Sequence, residues 1–149
     1  MPDIALYHPD IARNTGAMMR LCACLGAPMH VIEPCGFVWD EDKMRRSGMD
    51  YMDQVALVRY ASWTVFCDKM EGRRIILVTT KGDTPYTGFS FRSDDILLMG
   101  SESAGVPDAV HARAAARLVI PMRGACRSLN VATAAAMVLG EALRQTGGS

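Results

Sequence analysis

The sequence predicts an α/β fold, a mostly parallel six-stranded sheet with helices on both faces. Short apolar, often β-branched runs recur along the chain. Amphipathic stretches with helix-start and helix-stop residues lie between them. Half of the 149 residues are hydrophobic, enough for a core spanning one domain over 1–149.

Ile4–Tyr7 reads as the first strand. A helix over Asn14–Leu25 follows, with Asn14 or Thr15 to cap it and Gly26 to end it. Met29–Ile32 is the second strand, closed by Pro34. Asp40–Arg46 is a short helix with acids first and bases last, as the helix dipole favours, and Gly48 ends it. Val55–Tyr60 is a strand. Ser62 caps a helix through Met70, stopped by Gly72. Ile75–Val78 and Ile96–Met99 are the most apolar strands. Pro107 starts a helix in its first turn through Ala115. Leu118–Ile120 is the last strand. Ser128 caps a long helix to Gln145 with Leu129, Ala132, Ala136, Leu139 and Leu143 on one stripe. Gly147–Ser149 reads as a frayed tail.

Equal counts of basic and acidic residues, 16 each, argue against a disordered tail protein or a uniformly basic nucleic-acid carpet. Acids outnumber bases in the first third and bases outnumber acids in the last third. Any nucleic-acid surface is therefore a local patch. Thirteen of the 16 basic residues are Arg, which suits bidentate phosphate contact and also follows from genome composition. Cys22, Cys24, Cys35, Cys67 and Cys126 are odd in number and show no CxxC spacing, so neither a metal site nor a disulfide framework is expected. No apolar run approaches the roughly 18 residues of a membrane span. No basic segment followed by an apolar one opens the chain, so a cytoplasmic protein is expected.

Ligands of parallel sheets bind outside the carboxyl ends of the strands. Three post-strand loops are rich in Gly, Pro and small polar residues: Thr79–Asp83, Gly100–Pro107 and Pro121–Ser128. Glycine admits close backbone approach, and loop amides are fixed donors. Three such loops in succession predict a pocket in the second half of the chain. The usual nucleotide signatures, GxGxxG after the first strand or GxxxxGK followed by Ser or Thr, are absent. Near the start, Asn14 and Arg20 stand roughly 600° apart on a helix, so they share no face if both are helical.

Asn14-Thr15-Gly16 with Arg20, the run Leu97–Pro107, and Ile120-Pro121-Met122 followed by Arg127–Ala132 together resemble the SPOUT superfamily of RNA methyltransferases. The branch is the one that acts on ribose 2′-hydroxyls. Ile32–Phe37 and Arg45–Tyr51 extend the match over essentially the whole chain. The second block is most similar to minimal single-domain members that act on the wobble nucleotide, cytidine or modified uridine, of leucine tRNAs.

The resemblance implies S-adenosyl-L-methionine as methyl donor, a deep trefoil knot in the C-terminal half, and a homodimer. It places Val78, Thr79, Gly100, Glu102, Ile120, Met122, Ser128 and Leu129 around the donor. It places Arg20 in catalysis, with Asn14, Ser128 and Asn130 near the reacting groups. RNA contact to the anticodon stem-loop is expected from Arg45, Arg46 and Arg127, then Arg123, Lys81 and Arg13. The family proposes Arg20 as the base. A guanidinium gives up its proton too reluctantly to serve as a base, so a phosphate clamp and alkoxide stabiliser fits its chemistry better. Glu102 is a rival base, or a turn carboxylate bonded to loop amides. His8 and His30 are read as bystanders. Three alternatives stay open: another tRNA or rRNA position, a non-catalytic RNA-binding module, and a small-metabolite enzyme of Rossmann type.

Overall fold

The computed structural model describes every residue except Gly48 and Ser149. The expected helix stop at Gly48 and the last residue of the expected tail lie outside the described residues. Seven strands form one sheet: β1 (Asp3–Tyr7), β2 (Met29–Ile32), β3 (Leu57–Tyr60), β4 (Ile75–Val78), β5 (Thr84–Pro85), β6 (Ile96–Met99) and β7 (Ala116–Val119). Their order is β3-β2-β1-β6-β4-β7-β5, and every pairing is parallel. Among the described residues five α-helices flank the sheet: α1 (Ala12–Leu25), α2 (Glu41–Arg46), α3 (Trp63–Lys69), α4 (Asp108–Arg113) and α5 (Val131–Thr146).

Strand periodicity divides the core in two. Ile4 and Leu6 of β1, with Leu97 and Met99 of β6, pack beneath Met18 and Met19 of α1 and Val138 and Leu139 of α5. Ala5 and Tyr7, with Ile96 and Leu98, pack beneath Phe66 of α3 and Val110 of α4. Both faces of the sheet are covered, which is why these strands read as unbroken apolar runs.

The expected six strands are seven. The missed one, β5, is two residues long, contains Pro85, and pairs only with β7 at the sheet edge. Proline is tolerated there because an edge strand need not donate on both sides. Helix α1 begins at Ala12, two residues earlier than expected. Ile11 occupies its N-cap position without a side-chain bond, so neither Asn14 nor Thr15 is the cap. Asn14 is engaged elsewhere and Thr15 is fully buried. Gly26 ends the helix in the left-handed conformation, as expected. Ser62 caps α3 by accepting from Val65 N–H. Pro107 sits just before α4 rather than in its first turn. Helix α5 is capped by Asn130, not Ser128: Asn130 Oδ1 accepts from Ala132 N–H at 2.9 Å and Thr133 N–H at 3.3 Å. The stripe of α5 is rotated from the expected one. Ala135, Val138, Leu139 and Ala142 are buried, while Leu129 precedes the helix and is exposed. Gly147 is a left-handed cap whose N–H bonds Leu143 O, so the tail is held up to that point.

The amino ends of the strands carry ionic networks away from the ligand side. Buried Asp3 accepts from His30 Nε2 at 2.7 Å and from Arg73, and His30 Nδ1 pairs with Tyr60. Asp95 is fully buried and held by Arg74 through two bonds of 2.7 Å, with a third from Arg92 N–H at 2.8 Å. Asp95→Ala leaves Arg74 without its counter-charge and is expected to cost roughly 3–5 kcal/mol of stability. Urea unfolding of the variant measures this. An unchanged midpoint would show that the pair is already solvated in the native state.

Candidate functional site

The loops that follow β4, β6 and β7 converge on one pocket of about 420 Å³. That volume lies within the usual range for small-molecule sites, roughly 300–1,000 Å³. Its walls are apolar where the strands end, at Leu77, Val78, Met99 and Ile120, and at Leu129 and Val131 beyond.

Each loop is built to bring main chain close. In the first, Thr79 N–H bonds Leu118 O at 2.9 Å, and Thr79 Oγ1 accepts from Lys81 N–H at 3.1 Å. Gly82 then passes so near β7 that a Cβ there would lie 2.6 Å from the Leu118 carbonyl carbon. In the second loop Ser101 and Gly105 exchange both backbone bonds, at 3.0 and 2.9 Å. Gly100 lies against Gly105, and Gly105 has φ +64°. These are the positions where only glycine serves. The third loop leads to the N-terminus of α5, where Ser128, Leu129 and Asn130 reach the pocket.

All eight residues expected around the donor line this pocket: Val78, Thr79, Gly100, Glu102, Ile120, Met122, Ser128 and Leu129. Asn14 and Asn130 line it too, and Asn130 Nδ2 donates to Asn14 Oδ1 at 3.0 Å. That bond joins residues 116 apart in sequence. Arg20 does not line the pocket. It is exposed, with its guanidinium 5.5 Å from the Tyr51 ring centroid, and makes no ion pair among the described residues. The helical offset from Asn14 accounts for this separation.

Glu102 is a loop carboxylate bonded to amides. Its Oε2 accepts from Asp10 N–H at 2.9 Å and Ile11 N–H at 3.1 Å. Burial, and then the neighbouring Asp10 side chain, push its carboxyl above the ordinary range. Asp10 is held below that range by hydrogen bonds from Glu102 and Ser103. Sequence reasoning missed Asp10, because its partners lie more than ninety residues away and no local pattern announces them.

Among the expected RNA contacts, Arg13, Arg46, Lys81, Arg123 and Arg127 are exposed. Arg45 is already engaged by Asp53 through bonds of 2.7 and 2.9 Å. Its availability to RNA therefore requires exchange of one anionic partner for another. No cluster of three His, Cys, Asp or Glu side chains able to hold a metal occurs among the described residues. No helix among them is long and apolar enough to cross a membrane.

Comparison with known proteins agrees with this geometry. The SpoU rRNA Methylase family matches residues 2–140. A tRNA (cytidine(34)-2′-O)-methyltransferase of Beijerinckia indica is 63% identical over 97% of this chain and 91% of its own length. A solved structure giving insight into the 2-OH methylation of C/U34 on tRNA superposes with TM-score 0.92 at 39% identity, covering 100% of this chain and 98% of that one. The SpoU methyltransferase AviRb of Streptomyces viridochromogenes, in complex with AdoMet, superposes with TM-score 0.85 at 29% identity, over 97% of this chain and 60% of that one.

Proposed function

Since the chain belongs to the SpoU rRNA methylase family, we propose that it methylates the ribose 2′-hydroxyl of the tRNA wobble nucleotide. The base is cytidine or a modified uridine, and leucine isoacceptors are the substrates. One observation carries the reading: three loops from β4, β6 and β7 line a single pocket that also receives Asn14 and Asn130. Relatives named for position 34 of tRNA match nearly the whole chain.

The donor set fits S-adenosyl-L-methionine. The apolar walls suit a purine, and the loop main chain offers fixed amides and carbonyls for ribose and amino-acid groups. When bound, S-adenosyl-L-methionine supplies an activated methyl group on a sulfonium. The chain itself must align the ribose and help its hydroxyl lose a proton. Alignment alone contributes roughly 7–11 kcal/mol in favourable cases.

Val78, Thr79, Gly100, Glu102, Ile120, Met122, Ser128 and Leu129 hold the donor. The Asn14–Asn130 pair and Ser128 orient the nucleotide at its mouth. Arg20 keeps its proton, clamps the RNA backbone and stabilises the developing alkoxide, while the proton passes to a substrate phosphate. Arg46, Arg127, Arg123 and Lys81, with Arg45 once released from Asp53, contact the anticodon stem-loop. Its unstacked bases and phosphates suit a small protein of this kind.

On this reading the protein works as a homodimer, and the loops after β4, β6 and β7 belong to a deep trefoil knot. Exposed Met137 on α5 and Leu25 on α1 support the dimer. The test is mass spectrometry of nucleosides from tRNA incubated with the protein and S-adenosyl-L-methionine. A 2′-O-methylated pyrimidine at position 34 is expected. Methylation of ribosomal RNA instead, with tRNA untouched, would overturn the assignment.

A further inference from the structure

The carboxyl edge of the sheet has its topological switch point, the usual place of a crevice, between β1 and β6. The helices that follow these two strands go to opposite faces: α1 packs with one core cluster and α4 with the other. Ligands usually enter a doubly wound sheet at such a switch point. Here side chains fill it.

Four bonds cross the crevice. Glu102 Oε2 accepts from the N–H groups of Asp10 and Ile11. In return Asp10 Oδ1 accepts from Glu102 N–H at 3.1 Å, and Asp10 Oδ2 accepts from the Ser103 hydroxyl. A third loop braces the same spot. Gly36 N–H donates to Pro9 O at 2.9 Å, and a Cβ on Gly36 would lie 2.4 Å from Asp10 Cβ. Glycine at position 36 is therefore what lets the loop after β2 pack closely against Asp10. Glu102 lines the pocket, whereas Asp10 does not. Ile11, directly after Asp10, is the N-cap residue of α1, and its carbonyl accepts from Asn14 N–H at 3.1 Å. The path from pocket to helix is thus Glu102 and Ser103, Asp10, Ile11, Asn14.

We propose that Asp10 is a positioning residue that couples the methyl-donor pocket to the first turn of α1, and through it to Arg20, which lies outside that pocket. Its carboxylate touches neither donor nor RNA. It fixes the loop that forms one wall of the pocket against the helix that faces the nucleic acid. A donor that braces the Glu102 loop then braces the first turn of α1 through these bonds, and binding at either end strengthens the other by the same factor. The inference rests on the reading of the pocket as the donor site.

Hydrogen exchange with and without S-adenosyl-L-methionine tests it. In the wild-type protein the donor is expected to slow exchange in residues 10–13, which do not line the pocket, by about fivefold or more, as well as in the loop at 100–106. In Asp10→Ala, protection at 100–106 persists on donor binding and the gain at 10–13 falls severalfold, the two bonds from the main-chain N–H groups of residues 10 and 11 to Glu102 remaining. The kcat for tRNA falls about tenfold or more, with a smaller change in KM for the donor. Asp10→Asn restores both, since its Oδ1 still accepts from Glu102 N–H and its Nδ2 can donate to Ser103 Oγ. Ser103→Ala, at an exposed position, gives the same pattern at smaller amplitude should Asp10→Ala fold poorly. A purely structural Asp10 would lower Tm and leave the donor-induced protection at 10–13 intact, which overturns the coupling. Donor binding to wild-type protein with no effect beyond the pocket loops overturns it too. Absence of any donor binding would instead overturn the donor pocket, and the coupling with it.

Discussion

Arg20→Ala is expected to lower methyl transfer to tRNA by about 10²–10³-fold, the size of effect seen when a preorganised charge stabiliser is removed. Donor affinity should be unchanged, because Arg20 is absent from the pocket lining. Calorimetric titration of S-adenosyl-L-methionine and single-turnover transfer separate the two. Folding should survive, since Arg20 is exposed, stacks over the face of Tyr51 and makes no ion pair among the described residues. Arg20→Lys discriminates between roles. A clamp loses its bidentate fork but keeps its charge, so partial activity at neutral pH is expected. A base would gain, because an ammonium with a pKa near about 10.4 gives up its proton far more readily than a guanidinium. Activity of Arg20→Lys above wild type that rises steeply with pH would sink the clamp.

Gly82→Ala should have the second large effect, on both stability and donor binding. The new methyl would meet Leu118 carbonyl carbon at 2.6 Å and its oxygen at 2.7 Å, and these are backbone atoms of β7 that cannot rotate away. Either the 79–82 loop lifts or β7 shifts. Overpacking of this kind costs roughly 1–3 kcal/mol. Lifting the loop also moves Thr79 and Thr80, which line the pocket. A lowered Tm together with donor affinity reduced more than about tenfold is expected, since displacing one wall removes more than 1.4 kcal/mol of contact. Gly72→Ala is the contrasting control: its Cβ would meet nothing within 4 Å, and the cost is confined to its φ of +88°. Equal donor affinities in the two variants would show that the 79–82 loop is not a wall of the site.

Much of the fold was legible in the order of residues. Ile75–Val78 and Ile96–Met99 announced themselves as buried parallel strands, and the structure has them with the same bounds. Ser62 and Gly26 announced helix ends and serve as such. The glycine-rich loops pointed to the pocket, because close backbone approach leaves a compositional mark. Where local reading failed, a distant partner had changed the balance. Asn14 looks like a cap and instead accepts from Asn130. Ser128 looks like a cap, but the chain does not turn helical until Asn130 bonds Ala132 and Thr133. Strand β5 has no periodicity to read in two residues, and exists because β7 offers an unpaired edge.

The sequence by itself determined the α/β class, the positions of the main strands and helices, and the three loops that would meet a ligand. Those features depend on periodicity, capping chemistry and glycine conformational freedom, all of which act over a few residues. Tertiary structure alone decided that β6 inserts between β1 and β4, that Asn14 meets Asn130, and that Asp10 locks Glu102 and Ser103. It also decided that Arg20 stands outside the pocket that Asn14 enters. Apart from the β4–β6 pairing, 21 residues apart, these are pairings across roughly ninety residues or more, or rotations about a helix axis whose register is set by packing. A side chain carries no local sign of a partner that only the folded sheet brings within 3 Å.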